Sequence, residues 1–135
     1  MVRCPFIASL LFALTSVALA AEPIAVKVGY LRLPENKTAM YQAHTGKPVI
    51  LGVRPEDVHD PNFAPPGIHI ALVPSHVEVT ELMGNEVFLY LKTGDRNYVA
   101  RVDPRSQARI GNDVQVAFNL DNMQLFDKTT ELAIR

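Results

Sequence analysis

The sequence predicts a mainly β fold: a small antiparallel barrel with one short helix. Three observations carry that expectation. Strand-length runs with period-two alternation follow one another from Ile68 onward. Glycine-containing turns separate them. Helical patterning is confined to one stretch, ENKTAMYQAH. Four or five short antiparallel strands with polar outer positions must hide their edges, and a closed or partly closed barrel does so.

The first twenty-two residues stand apart. Arg3 in a short basic start, an apolar run from Phe6 to Leu19, and the small residues Ala18, Ala20 and Ala21 have the three parts of an export signal. The run is shorter than the roughly 20 apolar residues of a spanning helix. It reads equally as a buried element of the fold. Residues 23–135 form the expected domain. Ala25 to Val28 and Tyr30 to Leu33 read as two β stretches around Gly29, and Pro34-Glu35 start the helix that Gly46 and Pro48 end. VILGVR, from Val49 to Arg54, is a buried strand broken by Pro55, and the prolines of HDPNFAPPG make residues 59–67 a loop. HVEVTELM, EVFLYL, NYVARV and DVQVAF follow as strands, separated by Gly84, by TGDR and by Gly111-Asn112. Val87, Leu89 and Leu91 share one face, as do Val114, Val116 and Phe118. A final hairpin joins MQLF to ELAI around Asp127 to Thr130.

Composition narrows the function. Lysine and arginine number 13 against 14 acidic residues, a net charge of −1 without any run of like charge, so nucleic acid and anionic surfaces are poor partners. The single cysteine, Cys4, precedes the apolar run and leaves the domain without a disulfide, a redox pair or thiolate ligands. A phosphate-cradling loop needs GxxxxGK[ST], whereas Gly46-Lys47 is followed by Pro48. His44, His59, His69 and His76 are never at i, i+4 spacing; His69 and His76 could meet across a sheet, but turn or solvated histidines fit the pattern better. No GxSxG elbow is present, and the pairs Glu78/Glu81 and Glu56/Asp57 lack a surrounding aromatic pocket. The expectation is a non-enzyme with no catalytic residue, metal or cofactor.

Two constellations are candidates for ligand or partner recognition. In VRPEDV, Arg54 leaves a buried strand directly into Pro55, where it can pair with Glu56 or Asp57, or take a carboxylate or phosphate. In ELMGNEV, Gly84 and Asn85 can both adopt positive φ, exposing backbone amides and bringing Glu86 beside Glu81. A third cluster, Leu120, Met123, Leu125 and Phe126, reads as core.

The order GYLRLP, GKPVILGVRPEDV, VEVTELMGNEVFLYL and VARVDPRSQARIGNDVQVAFNLDNMQLFD resembles the C-terminal region of the ATP-binding subunits of carbohydrate and glycerol-phosphate ABC importers. That region contains the TOBE module, an OB-fold-like β barrel. The resemblance runs from about Val26 to Ile134. Gly52-Val53-Arg54-Pro55-Glu56 matches the family's G[IV]RPE and Leu125-Phe126-Asp127 its LFD, with Gln124 where histidine is common. Leu82 to Glu86 is similar to its LGxE turn with Met83 inserted, and Phe6-Ile7-Ala8-Ser9 echoes the start of its FIGSPxMNF stretch. The resemblance implies an OB-fold-like regulatory domain that packs against its twin or the ATPase cassette and can receive a regulatory protein or small ligand. It implies no catalytic residue, because the cassette's motifs are absent from this sequence. It places the chain at the cytoplasmic face of the membrane, whereas a cleaved leader would make it an exported ligand-binding barrel.

Overall fold

A computed structural model of the chain describes Leu10–Ala13, Ile24–Ala25 and residues 33–135. In chain order the elements are strands β1 (Leu10–Ala13) and β2 (Ile24–Ala25), helix α1 (Glu35–Tyr41), and strands β3 (Val49–Gly52), β4 (Val58–His59), β5 (Ile70–Met83), β6 (Glu86–Thr93), β7 (Arg96–Val102), β8 (Asp113–Asn119) and β9 (Gln124–Asp127). Short 3-10 turns lie at Gln42–His44, Pro55–Asp57 and Pro61–Phe63. The fold is mainly β with one short helix, as the alternation predicts. Of the two β stretches expected before the helix, Ile24–Ala25 is a strand and residues 26–32 lie outside the described residues.

An antiparallel sheet of order β4-β8-β5-β6-β7 curls into a half-barrel, its last strand packing back onto β4 and the Pro55–Asp57 turn. A second sheet, order β2-β1-β3-β9, is one that the alternation did not anticipate. In it β1, drawn from the apolar run, lies parallel to β3, and β9 antiparallel. The expected final hairpin is short: one bridge, Phe126 to Ala133, flanked by the Asp127 amide on the Leu132 carbonyl and the Ile134 amide on the Leu125 carbonyl, both at 2.9 Å. Asp127 caps the turn that follows, its carboxylate accepting from the Thr129 and Thr130 amides at 2.8 and 2.9 Å. His59, expected in a loop, belongs to β4 and pairs with Ala117.

The alternating apolar positions fill one core. Val73 and Val77 of β5, Leu89 and Leu91 of β6, and Val116 and Phe118 of β8 are all buried. Leu120, Met123 and Leu125 extend it beneath the second sheet, with Phe126 half-buried at its margin. Tyr98 meets Phe118 edge-on at 5.7 Å, and its phenol is bonded to Ser75, whose hydroxyl lies 2.9 Å from that of Thr93. Burial pushes the Tyr98 phenol above its ordinary pKa, so it stays neutral and these hydroxyls satisfy one another.

β5 does not alternate along its whole length. Val77 pairs with Leu91 but Val79 with Tyr90, so Glu78 is a bulge that reverses the facing of all that follows. Thr80 therefore lies opposite Leu89 on the core side, and Val79 turns out to solvent. Gly111 and Asn112 bond the Val77 backbone at 2.8 and 2.9 Å, fastening the β7–β8 connection to the bulge.

In the second sheet β9 crosses β3 very closely at Gly52. A methyl group there would lie 2.8 Å from Cε2 of Phe126. Gly52→Ala is expected to displace that ring and destabilise the chain by about 1–3 kcal/mol, read by urea denaturation.

Candidate functional site

The VRPEDV segment is organised by its third polar residue rather than its first. Pro55 begins the 3-10 turn with φ fixed, and the Asp57 amide donates to the Arg54 carbonyl at 2.9 Å. This winding turns Arg54 and Glu56 outward and Asp57 inward. The Asp57 carboxylate, 6% exposed, accepts hydrogen bonds from the side-chain amides of Asn119 (3.1 Å) and Asn122 (2.7 Å). Asn119 in turn accepts from the Asp121 amide at 3.1 Å. A buried carboxylate is tolerated only with such donors, so one polar node holds the Pro55–Asp57 turn against the exit of β8. The expectation that Arg54 pairs with Glu56 or Asp57 is not met: Asp57 is turned away into the node, and Arg54 makes no ion pair among the described residues. Its guanidinium is exposed.

The second candidate, Gly84-Asn85-Glu86, forms the tip of the β5–β6 hairpin. Met83 pairs with Glu86, leaving a two-residue loop. Gly84 has φ 65°, whereas Asn85 is not among the residues of positive φ, which is the pattern of a type II′ turn rather than of two left-handed residues. Glu86 does not lie beside Glu81. Its carboxylate reaches Arg101 of β7 at 3.3 Å, while Glu81, opposite Phe88, accepts from the Tyr90 hydroxyl at 3.0 Å. Around this polar turn Leu82 and Met83 are 71% and 60% exposed. No hydrogen bond or ion pair joins the hairpin tip to Arg54 or Glu56 among the described residues. They are two separate surfaces.

The histidines do not gather. His69 and His76, expected to be able to meet across a sheet, are instead bonded to Asp121 and Asp113 at 2.8 and 2.7 Å. No group of three or more metal-ligating side chains occurs among the described residues. Nε2 of His59, like Nδ1 of His44, is buried without a hydrogen-bond partner among the described residues, and burial lowers the His59 pKa from 6.5, partly opposed by the Asp57 charge. Asp103 is held at about 2 by the Arg105 guanidinium, a surface pair.

Residues 51–126, from the middle of β3 through most of β9, match the TOBE domain. The chain belongs to the TOBE domain family. It is 32% identical over 114 residues to the oligosaccharides import ATP-binding protein MsmX of Bacillus subtilis, covering 82% of this chain and 31% of that protein. It is 38% identical over 112 residues to the multiple sugar-binding transport ATP-binding protein MsmK of Streptococcus mutans, covering 83% and 28%. With the trehalose/maltose import ATP-binding protein MalK of Thermococcus litoralis it shares 38% over 94 residues, 67% and 25% of the two chains. The TOBE chain thus spans less than a third of the length of these relatives, in their C-terminal region. No helix among the described residues is long and apolar enough to cross a membrane.

The TOBE match includes both arms of the Asp57 node, which reading the motif residue by residue missed. NLDN looks like an ordinary turn, and only the fold brings Asn119 and Asn122 to Asp57 across 62 and 65 residues. Asp57→Ala strands the buried Asn119 amide and is expected to cost about 1–3 kcal/mol in chemical denaturation. Arg54→Ala should stay within about 0.5 kcal/mol of the parent.

His59 gives the pH counterpart. Its folded pKa lies below its unfolded value, so the unfolded state takes up the proton first. The stability contributed by neutral His59 is complete above pH 6.5 and falls as pH drops through that value toward the folded pKa. An NMR titration should place the His59 midpoint below 6.5, and His59→Gln should flatten this part of the stability profile.

Proposed function

We propose that this TOBE domain is a non-catalytic regulatory and dimerisation module of an ABC-type sugar importer. It acts beside the ATP-binding cassette at the cytoplasmic face of the membrane. The family and the import ATP-binding proteins it resembles support the transport setting. The observation that carries the docking role is the β5–β6 hairpin tip. There a two-residue turn made possible by Gly84 presents Leu82 and Met83 to solvent, with Val79 and Tyr90 also exposed farther along the same hairpin at 41% and 38%. Apolar side chains of this size on a protruding turn suit burial against a protein partner.

Arg54 and Glu56 supply a second, charged surface that is kept separate by the Asp57 node. An exposed arginine with no ion pair among the described residues is suited to a carboxylate or phosphate on a regulatory protein or cassette. The two surfaces make different contributions. The apolar tip gives affinity through desolvation, and the charged turn gives orientation and salt dependence.

Association is measured with the cassette portion of a homologous import ATP-binding protein, and self-association by sedimentation. Leu82→Asp with Met83→Asp is expected to weaken binding tenfold or more, roughly 1.4 kcal/mol, with thermal stability unchanged. Undiminished association of the double variant, or no association of the parent chain with cassette or itself, removes the docking reading.

A further inference from the structure

A cleft of about 380 Å³ lies between the Pro61–Phe63 turn, the β7–β8 connection and β8. That volume falls toward the lower end of small-ligand pockets, roughly 300–1,000 Å³. Its floor is apolar, formed by Leu89, Val114 and Val116 from the inner face of the half-barrel. Its rim is polar, and two contacts build it before any ligand arrives. Ser106, 2% exposed, donates to Oδ2 of Asp60 at 2.6 Å, and Arg105 stacks over the Phe63 ring at 4.6 Å. Together they clamp the β7–β8 connection onto the 3-10 turn.

The hydrogen-bonding capacity left at the rim is mixed. Oδ1 of Asp60 already accepts from the Asn62 amide (2.9 Å) and side chain (3.1 Å). With Ser106 on Oδ2, one of about four acceptor positions on the carboxylate remains open. Asn112 uses its carbonyl oxygen on the Arg109 amide, leaving its NH₂ to donate among the described residues. Gln107 spends its NH₂ on the Arg105 carbonyl, leaving its oxygen to accept.

The charge at the rim is one-sided. Asp60 and Asp113 line the cleft, and among the described residues no lysine or arginine does. The two arginines of the adjoining connection are committed elsewhere. Arg105 is bidentate to Asp103 at 2.8 and 2.9 Å, and Arg109 donates to the Ser106 and Ala108 carbonyls at 2.9 and 2.8 Å. An oxyanion would meet carboxylates with no lysine or arginine opposite among the described residues, and the imidazole of His76 is already bonded to Asp113. A bare cation would meet an Asp60 carboxylate whose acceptor positions are mostly filled, above an apolar floor.

We propose that this cleft binds a small neutral polyhydroxylated molecule, a sugar or polyol. Its C–H face would rest on Val114, which the buried Leu89 and Val116 back, and its hydroxyls would donate to Asp60 and Gln107 and accept from Asn112. The proposal deepens the regulatory reading above and takes its purpose from it, namely that the domain senses a compound related to the importer's cargo. Its chemistry rests on the cleft alone. The rim is held in place by Ser106 and Arg105 before binding, which reduces the ordering cost that limits weak polar sites.

The test is an amide NMR titration of the 135-residue chain with trehalose, sodium sulfate and tetramethylammonium chloride in parallel. Trehalose is expected to give saturable shifts confined to the amides around Ser106–Ala108 and Asn112–Val116, and the two salts none there. Gln115→Trp fills the rim from an exposed position on β8 and should weaken the trehalose response about tenfold or more, with the rest of the spectrum unchanged. Ser106→Ala, which frees the Asp60 carboxylate to rotate, should weaken it less. Shifts that fail to saturate, that scatter over the surface, that survive Gln115→Trp, or that follow sulfate or tetramethylammonium instead overturn the proposal. Cassette association measured on the same samples separates the two readings. A chain that binds the cassette and not trehalose loses only this site. A chain that binds trehalose and not the cassette loses the docking function.

Discussion

The Asp57 carboxylate is the constraint on which the rest of the structure depends. The chain passes from the second sheet to the half-barrel between β3 and β4, and returns between β8 and β9. Both crossings occur side by side, because β4 pairs with β8 and β3 with β9. Asp57 lies on the outward crossing, and its partners Asn119 and Asn122 on the return. One buried acid therefore ties together the two crossings between sheets that share a core. An apolar residue in its place would leave the buried Asn119 amide unpaired, which costs more than the ordinary value of a hydrogen bond, whereas exposed Asn122 can turn to water.

That node determines what the surface can offer. With Asp57 drawn inward, the same turn must project Arg54 and Glu56 outward, since the Pro55–Asp57 winding alternates their directions. The Asp57 charge is thereby met in the interior, and the guanidinium is not consumed by an acid among the described residues. A similar division occurs in the β7–β8 connection. Its arginines are spent on Asp103 and on backbone carbonyls, so the cleft they border keeps an acidic and amide rim. In both places the fold settles which charges face solvent by assigning the others internal partners.

Much of this architecture was legible in the sequence because period-two alternation is a direct record of which side chains a curled sheet buries. Val87, Leu89 and Leu91 could be placed on one face without any structure, as could the helix between Pro34 and Gly46. The failures are local and share a cause. VEVTE alternates without interruption, yet the bulge at Glu78 divides Val77 from Val79. It does so because the Gly111-Asn112 turn, far along the chain, occupies the Val77 backbone. The second sheet escaped for the same reason, since β3 and β9 are short, and nothing in either names its partner. Arg54 was rightly placed at a chain reversal but given the wrong neighbours, because the competing claim on Asp57 comes from residues 62 and 65 positions away. Asn85 can adopt a positive φ, but the type II′ turn requires one only of Gly84. Alternation reports facing, and it is silent on pairing between distant segments.

The hairpin beyond the bulge poses a different physical question. By register Leu82 faces the core side opposite buried Val87, but it lies past the end of the core and is 71% exposed, and Met83 on the other face is 60% exposed. Neither side chain contributes the burial that stabilises β5 at Val73 and Val77. A turn held by Gly84 and the Glu86–Arg101 pair would form as well with polar residues in both positions. Exposed apolar residues on a protruding hairpin lower solubility and invite association. Folding therefore supplies no reason for them, and that is the physical ground of the docking proposal.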